Sequence, residues 1–88
     1  MKAVIVTTKH RGVFFGYAKP DTLNEKTITL ENARCAIRFG TAGGFLELAE
    51  TGPTSDSKIG STAPAIQVRD ITSVVTVTDK AEAAWKAA

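Results

Sequence analysis

The sequence predicts a mainly β protein: a small antiparallel barrel, SH3-like or related, of five to six strands with a short C-terminal helix. Three observations predict it. Short β-branched or alternating runs recur through residues 1–78, turn residues separate them, and residues 79–88 switch to an alanine-rich pattern. Many short strands between turn signals favour a closed or curled sheet. The chain has 88 residues, enough for one small domain and not two. The division is therefore a barrel over 1–78 and a helix over 79–88.

The elements follow in order. "KAVIVTT" (Lys2–Thr8) is apolar on both faces and breaks off before a helix length is reached, so it reads as a strand covered on both sides. "KHRG" (Lys9–Gly12) is a turn, and the aromatic "VFFGYA" (Val13–Ala18) is a second strand, paired as a hairpin. Gly16 inside it signals a bulge, a bend or a close backbone approach. Pro20 and Asp21 mark a loop. "KTITLEN" (Lys26–Asn32) alternates strictly, with Ile28 and Leu30 inward. "RCAIRF" (Arg34–Phe39) alternates again, with Cys35, Ile37 and Phe39 on the inward face and Arg34, Ala36 and Arg38 on the outward one.

"FLELAE" (Phe45–Glu50) fits a short helix or a short strand. Phe45, Leu48 and Ala49 share a helical face, and Gly52 before Pro53 is a helix stop. "TGPTSDSKIGSTAP" (Thr51–Pro64) then reads as a long polar loop. Typical connections run about 4–6 residues, and longer ones tend to be functional or disordered. "AIQVR" (Ala65–Arg69) and "ITSVVTVT" (Ile71–Thr78) are strands, with Asp70 at the turn or bend between them. In the tail, Asp79 with Glu82 three residues on resembles a capping box. Trp85 is expected to dock that helix on the sheet or on a partner.

Charge and composition narrow the function. Residues 1–40 carry seven Lys/Arg and three Asp/Glu, a net of +4; residues 41–88 carry four and six, a net of −2, giving the overall +2. That balance is too weak to imply nucleic acid by itself. It permits a basic face meeting an anion or an acidic partner, and it also fits ordinary surface charge. The single cysteine rules out an intrachain disulfide and fits a reducing compartment. The apolar opening is far shorter than a membrane span of about 20 residues, and Lys9–Arg11 follow it with no signal-peptide pattern. A soluble cytoplasmic protein is expected.

The catalytic classes find little support. One His and one Cys cannot make a zinc set of three or four ligands, so neither metal nor cofactor is expected. A Cys35–His10 nucleophile pair needs hydrogen-bond reach, and nothing in the sequence brings a turn histidine to an inward strand face. Glu47 and Glu50 fit a solvated helix face. The loop lacks the Walker order, because Gly60 follows Lys58 instead of preceding it. Its hydroxyls at Thr51, Thr54, Ser55 and Ser57, with Lys58, still offer donors to an anion. Arg34 and Arg38, four apart on a strand, lie roughly 13 Å apart. That spacing suits two phosphates, a nucleic-acid backbone or the acidic residues of a protein. The candidate binding residues are Arg34, Arg38, Thr51, Thr54, Ser55 and Lys58.

Four blocks carry a family resemblance: "MKAVIVTTKHRGVFFGY", "ITLENARCAIRF", "GGFLELAETGPTSDSKIGSTAP" and "ITSVVTVTDKAEAAW". Together, and in order over nearly the whole chain, they resemble a family of small phage and prophage proteins of unknown function. Asn32, Arg34, Thr51, Gly52, Pro53, Ile59 and Gly60 match the family pattern. That pattern reads NARNCIYW where this chain has "NARCAIRF", so Arg38 departs from it. The resemblance implies a viral origin, expression in the cytoplasm of a bacterial host, and an accessory role.

The leading expectation is a non-enzymatic binding module that occupies a host protein surface, such as a defence or regulatory component. Three alternatives stand beside it. One is a sponge that sequesters a nucleotide signal at a subunit interface of a homo-oligomer. Another is a small nucleic-acid-binding barrel, and the last is a virion structural component.

Overall fold

Strand β1 (Lys2–Thr8) runs through the middle of the sheet. It pairs antiparallel with β2 (Val13–Ala18) on one side and with β6 (Ile71–Thr76) on the other. Its β-branched residues are buried on both faces: Ala3 and Ile5 pack toward one layer, Val4 and Val6 toward the other. The doubly covered strand expected from "AVIVT" is what forms. The computed structural model describes residues 1–9, 12–38, 40 and 44–88, except for the side chain of Phe45. The expected places of His10 in the first turn and of Phe39 on the inward face lie outside the described residues.

The next strand, β3 (Ile28–Arg38), is a single eleven-residue element, where the sequence suggested two shorter ones. Asn32 lets the chain continue. It sits at φ 49°, a left-handed conformation that Asn tolerates better than most residues. Between the pairs Phe15↔Arg34 and Tyr17↔Glu31, β3 supplies one residue more than β2. This is a bulge opposite Gly16, which bends the strand. A Cβ on Gly16 would stand 2.8 Å from the Leu30 Cβ, so the close approach predicted at this glycine is real.

Along its outer side β3 pairs with two strands in turn. Its first half pairs with β5 (Ala63–Val68) and its end with the two-residue β4 (Lys58–Ile59). All six strands join one antiparallel sheet. β5 and β6 are consecutive, separated only by Arg69 and Asp70, and would close a barrel if they paired. They do not: among the described residues β5 pairs with β3 alone and β6 with β1 alone. Asp70, at φ 55°, turns the chain through a corner, and its carbonyl accepts from the Lys9 amide at 2.9 Å. The expected SH3-like barrel is thus corrected to an open, curled sheet.

Closure is unnecessary because a second layer covers the outer face. Helix α1 (Phe45–Glu50) and helix α2 (Asp79–Ala87) pack on Ala3, Ile5, Val13, Phe15 and Ala36 through Leu48, Ala49, Ala81 and Trp85. The inner cluster holds Val4, Val6, Ala18, Ile28, Leu30, Ala33 and Val68. Each fully buried Leu, Ile or Val contributes about 1.5–3 kcal/mol. Trp85 pins α2 as expected. Its ring stacks on Phe15 with centroids 4.8 Å apart, and its Nε1 donates to the Leu48 carbonyl at 3.0 Å. The cap of α2 is Thr78, not the predicted Asp79. Thr78 Oγ1 accepts from the Ala81 amide at 3.1 Å and donates to the Glu50 carbonyl at 2.6 Å, so one hydroxyl starts α2 and ties it to α1.

Candidate functional site

The six predicted binding residues separate into two groups. Arg34, Thr51 and Thr54 are engaged within the fold. Arg34 lies on β3 facing the helical layer, because the bend at Asn32 carries the strand under α2. Its Nε donates to the Gly60 carbonyl at 2.9 Å and its Nη1 to the Trp85 carbonyl at 3.0 Å, with a further bond to the Ala88 carbonyl. A cation at a helix C-terminus satisfies carbonyls that the helix leaves open and complements the helix dipole. Thr51 ends α1: its amide donates to the Glu47 carbonyl at 2.9 Å and its Oγ1 to the same oxygen at 3.3 Å.

Thr54 organises the loop. Its Oγ1 donates to the Gly40 carbonyl at 3.1 Å and accepts from the Asp56 amide at 3.3 Å. The Thr54 amide donates to Ser57 Oγ, and the Ser57 amide to the Thr54 carbonyl, both at 3.0 Å. Gly40 sits at φ 64°, and a Cβ there would lie 2.3 Å from Asp56, so backbone packs directly on backbone. The long "loop" therefore contains a tight turn and strand β4. The hydroxyls of Thr51, Thr54 and Ser57 are engaged by nearby backbone groups.

Arg38, Ser55 and Lys58 remain exposed. Arg38 on β3 and Lys58 on β4 are backbone partners, reached after an irregularity in the register that follows the pair Ala36↔Ile59. The pairing brings two cations to the same exposed end of the sheet. Neither residue has an ion-pair partner among the described residues. Beside them Ile37 is 60 % exposed. The sequence placed Ile37 on the inward face. It does share that face with Cys35 and Ala33, but the inner cluster ends before reaching it. Cys35 is half-buried opposite Phe14.

A polar cluster on α2 escaped the sequence reading. The Tyr17 hydroxyl donates to Glu82 Oε2 at 2.9 Å, and Lys86 Nζ reaches the same oxygen at 3.3 Å. Burial, reinforced by the Glu82 carboxylate, raises the Tyr17 pKa above its ordinary 10.0. Hydrogen bonds from Tyr17 and then Lys86 hold Glu82 below 4.5. Glu82 bonding raises Lys86 above 10.5. The i, i+4 spacing of Glu82 and Lys86 was a visible signal, whereas the reach to Tyr17 depends on how α2 crosses the sheet.

The fold and this surface define a small, mainly β protein with a helical layer on one face and an exposed cationic rung at one end of its sheet. The chain belongs to the family described as Domain of unknown function (DUF6948), whose model matches residues 1–85. No curated protein and no solved structure matches it. No described helix is long and apolar enough to cross a membrane.

Proposed function

We propose that the protein is a non-enzymatic binding module of phage or prophage origin that acts by occupying an acidic surface of a host protein. The observation that carries this reading is the Arg38–Lys58 rung. Two exposed cations are paired across neighbouring strands, next in sequence to exposed Ile37, and neither forms an ion pair among the described residues. Two exposed cations without an ion pair fit a partner that supplies carboxylates. An apolar side chain next to cations suits a protein surface better than a bare phosphate. The engagement of Arg34 and Thr54 inside the fold weighs against the nucleotide sponge, since it removes two of its expected ligands.

Affinity capture from bacterial cells tests the reading, with the wild-type chain compared with Arg38→Glu/Lys58→Glu. The expected result is a discrete acidic protein held by the wild type and lost from the variant at unchanged folding. Retention of the same partner by the variant would remove the rung from the interface.

A further inference from the structure

The two edges of the sheet are unequal. On one edge β5 carries Pro64, which has no N–H to offer, and β4 is only two residues long and carries Lys58. Short strands, lysine and proline all blunt an edge against pairing. On the other edge β6 reads "ITSVVT", uncharged and β-branched at five of its six positions. A bulge against β1 near Thr72 disturbs only its start, leaving Ser73–Thr76 in regular register. A cleft of about 810 Å³ lies along β6, lined by Leu23–Thr27 on one wall and Arg69–Val74 on the other. Leu23, Ile71 and Val74 are half-buried at its floor and touch the inner core.

The geometry points to this cleft as a β-addition site for an extended peptide segment of a partner protein. Pairing with β6 supplies hydrogen bonds to its free edge, as strand addition generally does. Alternate apolar side chains of the incoming segment would cover Leu23, Ile71 and Val74, filling the gap between β6 and the segment Leu23–Thr27. The rim charges, Glu25 and Asp70 against Lys26 and Arg69, cancel. The complementary segment is therefore net neutral with an alternating apolar pattern, unlike the acidic surface that suits Arg38 and Lys58. The site goes beyond the function proposed above and stands without it.

The test is amide hydrogen exchange on the full chain with a short acetylated and amidated peptide of alternating threonine and valine. A matched peptide, N-methylated at every backbone amide so that neither edge offers donors, is the control. Protection of β6 amides by about tenfold or more is expected with the first peptide, with the effect lost for the control and for Thr72→Lys. The proposal is overturned by no protection at millimolar peptide, by equal protection from the N-methylated control, or by protection confined to the Arg38–Lys58 end. None of these outcomes depends on the rung having a partner.

Discussion

Arg34 and Trp85 are joined from opposite layers of the fold: the guanidinium on β3 donates to the Trp85 carbonyl near the end of α2 at 3.0 Å. The same side chain reaches the Gly60 carbonyl just beyond β4. One arginine thus fastens sheet, helix and loop. Arg34→Ala is expected to cost about 2 kcal/mol, because charge-assisted bonds are lost and carbonyls are left open. Arg34→Lys should recover only part of this, since an ammonium cannot reproduce the planar fork. Thermal denaturation of the three proteins checks the order wild type, Lys, Ala.

Gly52 is the contact point between the helices. It sits at φ 87°, and a Cβ there would lie 2.5 Å from the Ala84 Cβ. Gly52→Ala is expected to cost about 2 kcal/mol from strained backbone and crowding together. Ala84→Gly in that background should return the crowding against the Ala84 Cβ and leave the strained φ and the crowding against the Ala81 backbone. Urea denaturation of the single and double variants separates the two; full rescue would mean that the conformation carries no strain.

The Tyr17–Glu82–Lys86 cluster makes stability depend on pH at both ends of the range. Glu82 has a lowered pKa in the fold, so its contribution is present above 4.5 and fades as pH falls through the folded value. Tyr17 and Lys86 have raised values, so theirs is present below 10.0 and 10.5 and fades as pH rises through the folded values. Glu82→Gln is expected to flatten the acid limb of a plot of Tm against pH, and Tyr17→Phe part of the alkaline limb. Unchanged limbs in both variants would show the cluster to be idle.

Much of the architecture was legible locally. The two-sided apolar run of β1 announced burial on both faces, Gly16 announced a bulge, a bend or a close approach, and Gly52–Pro53 announced the end of α1. What escaped depended on the second layer. Arg34 and Ala36 alternate with Cys35 and Ile37, so the sequence could place them on one face. That this face lies under helices follows from how α2 returns across the sheet. Arg34 therefore looked solvent-exposed when it is a helix clasp, and Ile37 looked buried when it is exposed. The barrel failed for a related reason. Strand count and turn signals do not say whether β5 and β6 pair, and Asp70 at φ 55° turns a corner where a hairpin was equally compatible with the sequence. Of the candidate site, residue types alone favoured Arg38 and Lys58, but their pairing required the register of β4, hidden in a segment that reads as loop.

Relieving the rung should also register in the free protein. Lys58→Glu sets opposite charges on the two paired strands and is expected to raise stability by less than about 1 kcal/mol. The same change should abolish partner binding. A gain in Tm accompanied by a loss of binding would mark the rung as retained for recognition; a loss of Tm would show that Lys58 has a structural partner.

The most direct measurement of the proposed binding surface is site-specific photo-crosslinking in bacterial cells. A benzophenone side chain would be placed at exposed Ile37, next to Arg38, or at exposed Thr29, near the other end of β3 and beyond its bend. The account predicts a crosslink from position 37 to one acidic protein, lost when Arg38 and Lys58 are reversed, and no such product from position 29. The same product from both positions, or a product from 37 that survives the charge reversal, would contradict it.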